Sequence, residues 1–102
     1  MKLRVNGKVW NLEFQPTPCV EDEKCLGFCE RPDKKNKKIV IKESLRGEKL
    51  LEILIHEQLH AALWVADEEW VQEVGVDLAR NIRRVMEAMP EKFDGLLGES
   101  DG

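Results

Sequence analysis

Lys2 to Val5 and Val9 to Phe14 alternate polar and apolar side chains, with Asn6-Gly7 between them. A period of two marks a strand with one buried face. Asn-Gly supplies the positive φ angles of a two-residue turn, so the chain is predicted to open with a β-hairpin. Pro16-Thr17-Pro18 ends the second strand, because proline cannot donate to a sheet ladder. Glu21-Asp22-Glu23 reads as an exposed loop and Cys25 to Glu30 as a third strand. Arg31 to Lys37 is a turn punctuated by Pro32 and Asp33, and Lys38 to Lys42 (Lys-Ile-Val-Ile-Lys) is a β-branched strand.

After Ser44 the period becomes helical. Ser44 is the predicted N-cap, Gly47 weakens the first turn, and the helix runs to about Trp64. Leucines, isoleucines and alanines cover nearly all its sides, which predicts a buried central helix. Asp67 caps a second helix, from Glu68 to about Met89, with Trp70, Val71, Val74, Leu78, Ile82, Val85, Met86 and Met89 in one stripe. Pro90 ends it. Strands first and helices after predict an α+β fold: a small antiparallel sheet of three to four strands packed on two long helices. Residues 1–90 form one domain, and 91–102 form a C-terminal tail expected to be loose beyond Leu97.

Composition narrows the function classes. The chain has 102 residues and a net charge of −4, without the broad basic excess that a nucleic-acid surface needs. Lys34, Lys35, Lys37 and Lys38 cluster, but in a turn, where a solvated hairpin tip accounts for them. No apolar run spans a membrane and the first ten residues lack a signal-peptide core, so a cytoplasmic location is expected. Cys19, Cys25 and Cys29 make an odd count, which predicts reduced thiols. Their spacing lacks the fourth ligand of a structural zinc site. Trp10, Trp64 and Trp70 are expected in the core or a pocket wall.

One segment carries chemistry: Ile55-His56-Glu57-Gln58-Leu59-His60-Ala61. Residues four apart on a helix share a face, so both imidazoles reach one ion, zinc being the expected metal. Glu57, one step around, is placed to take a proton from a metal-bound water. The chain has two histidines in all, and both stand in this motif. Random placement gives that spacing in roughly 2 % of cases, and a following Glu in a fraction of those, which favours a ligand pair over structural histidines. A third ligand must then be Glu, Asp or Cys. Glu68 and Glu69 are explained by the helix dipole, which favours acids in a first turn. Glu73 and Asp77 flank the apolar stripe, as site residues or as solvated acids.

His56-Glu57-Gln58-Leu59-His60, followed by a helix carrying Glu73-Val-Gly-Val-Asp77, resembles the gluzincin class of metallopeptidases. The stretch from Cys25 to Arg84 resembles small phage and prophage proteins of the H-E-x-x-H type. More remotely it is similar to SprT-like and ImmA/IrrE-like minimal metallopeptidases. The resemblance implies His56, His60 and Glu73 as zinc ligands, Glu57 as general base, and Asp77 as hydrogen-bond partner of a ligand imidazole. It also implies a minimal zincin-like domain.

The expected activity is zinc-dependent hydrolysis of a peptide bond in a peptide or protein substrate, with Lys38 to Lys42 offering an open strand edge to it. The chain has no tyrosine and no spare histidine to stabilise an oxyanion. Arg80 or Arg84 would substitute, unless they are surface ion-pair residues. The alternative is a non-catalytic, zinc-bound regulatory or interaction module of phage origin.

Overall fold

The computed structural model describes residues 1–96. Strands β1 (Lys2–Val5) and β2 (Lys8–Gln15) form the predicted hairpin. Asn6 and Gly7 take φ of 53° and 76°, as the turn requires. Next come β3 (Gly27–Cys29), β4 (Lys38–Lys42), α1 (Gly47–Ala62), α2 (Glu68–Ala88) and a 3₁₀ turn over Pro90–Phe93. The result is the expected α+β fold. The expectation for the chain beyond Leu97 lies outside the described residues.

The sheet has the order β1-β2-β4-β3, and it is mixed rather than antiparallel. β3 and β4 pair antiparallel, but β4 lies between β3 and β2 and runs parallel to β2, with Leu12 beside Ile39 and Phe14 beside Ile41. This corrects a second expectation. β4 is an inner strand, so it has no open edge for a substrate; the edges belong to β1 and β3. Ile39, Val40 and Ile41 are wholly buried, which suits a strand covered on both edges and both faces. Ile39 and Ile41 join Trp10, Ile53 and Ala61 in the main core. Burying each such large side chain contributes about 1.5–3 kcal/mol.

Trp10 donates its indole N–H to the Glu30 carbonyl at 2.8 Å, and Lys37 Nζ stands 5.1 Å from the indole ring centroid. Lys34 and Lys38 pair with Glu30 and Glu13. The lysine cluster is thus a hairpin tip. Between β2 and β3 the chain turns twice around Asp22, and Cys19 and Cys25 are joined in a disulfide with their Cα atoms 5.8 Å apart. The odd count predicted reduced thiols. Tight turns bring two of the three together, leaving Cys29 free.

α1 lies between the sheet and α2. Its N-cap is Arg46, without a side-chain hydrogen bond, rather than Ser44. The Arg46 guanidinium donates instead to the Glu43 and Leu45 carbonyls at 2.7 Å. At the other end, Asn6 Nδ2 donates to the Ala62 carbonyl at 2.9 Å and ties the first hairpin to the end of α1. α2 starts as predicted: the Asp67 side chain accepts from the Glu69 N–H at 3.2 Å. Among the described elements it touches α1 and the 3₁₀ turn, and not the sheet. No described helix is long and apolar enough to cross a membrane.

Candidate metal centre

α1 is apolar where it meets the sheet, yet two of its buried residues are polar: His56, 8 % exposed, and Glu57, 5 % exposed. Buried polar groups of this kind need partners. The turn Leu63–Asp67 closes with the Ala66 N–H donating to the Leu63 carbonyl at 2.9 Å and sends α2 back along α1. Glu68, the first residue of α2, thereby reaches both histidines. Its Oε1 is 2.8 Å from His60 Nε2 and its Oε2 is 3.1 Å from His56 Nε2. The two Nε2 atoms are 3.2 Å apart.

His56, His60 and Glu68 form a group that could hold a metal ion, one ligand atom from each lying within 4.8 Å of the others. Donors bound tetrahedrally at about 2.0–2.1 Å sit about 3.3 Å from one another. The two Nε2 atoms, 3.2 Å apart, are close to that edge, whereas each histidine stands nearer a different oxygen of Glu68. Burial lowers the pKa of His56, with the Glu68 charge opposing and His60 reinforcing, so its ring is kept neutral and able to ligate.

Glu68, and not the expected Glu73, is the acid that the fold brings to the two histidines. Helix geometry supplies the reason. A Cβ added at Gly75 would lie 3.7 Å from His56 Cα, so Gly75 marks the line on which α2 meets α1. Glu68 precedes Gly75 by two turns and falls on that same line. Glu73 and Asp77 are two residues either side of Gly75, about 200° around the helix, on its far side. Both are exposed. Asp77 accordingly does not serve His56, whose Nδ1 is buried with no hydrogen-bond partner among the described residues. Acidic residues at a helix start have a ready explanation in the dipole, which hid Glu68. The interior glycine was the signal that could have found it.

Glu57 is not one of the converging donors. It lines the same open cleft, of about 470 Å³, with Gly27, Phe28, Cys29, Trp64 and Ala66. Burial, reinforced by the Glu68 charge, pushes its carboxyl up to about 7. Gly27 brings edge strand β3 against α1: a Cβ there would come 2.8 Å from the Val40 carbonyl oxygen and 3.2 Å from Ile53 Cγ2. Burial, then the charges of Glu57 and Glu30, push the Cys29 thiol up to about 12, so it stays protonated in the cleft wall. Trp64 is 44 % exposed at the cleft, Trp10 is in the core, and Trp70 is exposed on α2. Arg80 and Arg84 are exposed on α2 and do not line the cleft. Comparison of the chain with protein-family models, with curated proteins and with solved structures returns no match.

Proposed function

We propose that the chain is a small zinc-dependent metallopeptidase-like hydrolase of peptide bonds, with His56, His60 and Glu68 as ligands and Glu57 as general base. The observation that carries this reading is the buried Glu57 carboxyl, raised to about 7, beside three clustered donors at an open cleft. When bound by three protein ligands, zinc polarises a carbonyl and lowers the pKa of a coordinated water. His56 and His60, from adjacent turns of α1, and Glu68, from α2, would hold the ion. Glu57 takes the proton of the attacking water on its carboxylate and delivers it to the departing amine. The unpaired N–H and C=O groups of β3, at the edge of the sheet, lie along the cleft for an extended peptide.

A second reading rests on one observation. Among the described residues, the cleft lining has no arginine, lysine or tyrosine that would stabilise an oxyanion. A metal-bound regulatory or interaction module, of the phage type, needs none. The variant Glu57→Gln separates the two. It keeps the shape of the side chain and should keep the zinc, measured by elemental analysis without a His-tag. Cleavage of a pooled peptide library should fall at least about 100-fold. Undiminished cleavage by zinc-loaded Glu57→Gln rejects the role of Glu57. Absence of cleavage by the parent selects the module.

A further inference from the structure

The turn between α1 and α2 is apolar where a turn is ordinarily polar. Leu63, Trp64 and Val65 are 51, 44 and 94 % exposed, and none of them packs on the main core. Three consecutive exposed apolar residues mark a place of contact. Formation of the turn does not account for them. Its backbone is closed between the Ala66 N–H and the Leu63 carbonyl, Asn6 ties the end of α1 at Ala62, and Asp67 caps α2.

Trp64 is the member of this run that enters the cleft. Two kinds of side chain meet there. His56, Glu57, His60 and Glu68 are polar, whereas Phe28, Cys29, Trp64 and Ala66 bring apolar surface to the walls. Trp70 has the same 44 % exposure but stands on α2, outside the cleft. An extended peptide suits both kinds of wall: its carbonyls are polar, it can add to the edge of β3, and its side chains reach sideways. A bilayer surface suits the turn less well. Asp67, Glu68 and Glu69 follow it directly and are exposed, and acids repel an anionic headgroup layer.

We propose that Trp64 is a specificity-determining residue of the cleft, taking a large apolar side chain of an extended peptide from a residue close to the bond held at the donors. The inference rests on the reading of the cleft as a peptide site and names its substrate class: unfolded or extended segments carrying a leucine- or phenylalanine-sized side chain. An indole is suited to that role, because it offers a large contact area and loses little conformational freedom when covered.

The test uses the full chain and two readouts. Fluorescence anisotropy measures the binding of dye-labelled decapeptide pools, with one central position fixed as Leu, Phe, Ser or Glu, to metal-free and to zinc-loaded protein. The Leu and Phe pools should bind the parent more tightly than the Ser and Glu pools in both forms. Trp64→Ala should weaken the Leu and Phe pools about tenfold or more, and Trp64→Gln should do the same. Trp64→Phe should recover most of the loss, and Trp70→Ala should leave binding unchanged. Where the zinc-loaded parent cleaves the pools, Trp64→Ala should lower kcat/KM for the Leu and Phe pools by a similar factor and erase the preference. A parent that shows this binding pattern without cleavage rejects the hydrolase reading and leaves the assignment of Trp64 standing. A parent without preference among the pools overturns the proposal, as do equal losses in Trp64→Ala and Trp70→Ala. So does Trp64-dependent cosedimentation with vesicles of phosphatidylcholine and phosphatidylserine in place of a peptide preference.

Discussion

Two stripes run side by side along α2, and they carry opposite kinds of side chain. Val71, Gly75 and Ala79 are buried against α1. Trp70, Leu78 and Ile82 are larger and stay substantially exposed. Size explains the division. Close approach of two helices needs small residues on the line of contact, and at Gly75 a single added Cβ would already stand in van der Waals contact with His56. Large apolar side chains are not a reliable pointer to the inside of a small two-layer domain. What a helix packs with and what it offers to others are separate questions, and on α2 the acid that reaches the histidines lies on the line of the buried residues.

The difference between the faces can be broken most severely at the metal. Glu68→Ala removes a donor on the packed line and should cut zinc affinity by more than the about 10–100-fold typical of losing a residue that merely supports a ligand. Glu73→Ala and Asp77→Asn, on the far side, should leave it within about twofold of the parent. Competition with a chromophoric chelator reads all three, and equal losses in Glu68→Ala and Glu73→Ala would reject the ligand set.

Proton linkage sharpens the contrast next. Glu57 lies in the packed interior with its folded pKa raised to about 7, above the ordinary value of 4.5. In the metal-free protein the folded state keeps a proton that the unfolded chain releases. Its contribution is therefore fully present below about pH 4.5 and is lost as pH rises through about 7, a change of roughly 3 kcal/mol at most. Urea unfolding of metal-free parent and Glu57→Gln should diverge over that window, the parent losing more. His56, whose pKa is lowered, works in the opposite direction but is common to both proteins. Parallel pH profiles would show that Glu57 is not held protonated.

The smallest effects concern packing alone. Gly75→Leu overfills the contact between the helices and should cost about 1–3 kcal/mol. Leu78→Gln, on the outer stripe, should change the stability of the single chain by no more than about 0.5 kcal/mol. Thermal unfolding at the lowest workable concentration makes the comparison. A larger loss in Leu78→Gln would reverse the assignment of the two faces.

Much of the fold is legible in the sequence. Asn6-Gly7 fixes a hairpin because few other pairs accept two positive φ angles, and Lys-Ile-Val-Ile-Lys matches β4 residue for residue. The position of β4 inside the sheet is not legible, because alternation tells which face a side chain takes and not which strand lies beside it. His56, Glu57 and His60 are legible from spacing within one helix. Glu68 is not, because its place depends on the angle at which a second helix returns. The pairing of Cys19 with Cys25 depends likewise on turns around Asp22 that a count of cysteines does not register.

The three residues that could hold an ion all come from the helical hairpin between His56 and Glu68, while the sheet is closed by the non-local parallel pairing of β2 with β4. Local contacts form early in folding and non-local strand pairing forms late, because long loops are slow to close. The hairpin therefore holds a complete donor set before the sheet is finished. An ion available during synthesis would join the two helices at that stage and reduce the number of arrangements left to the strands. Refolding should accelerate with zinc by an amount that Glu68→Ala abolishes. On this account a bound ion would assist the assembly of the domain.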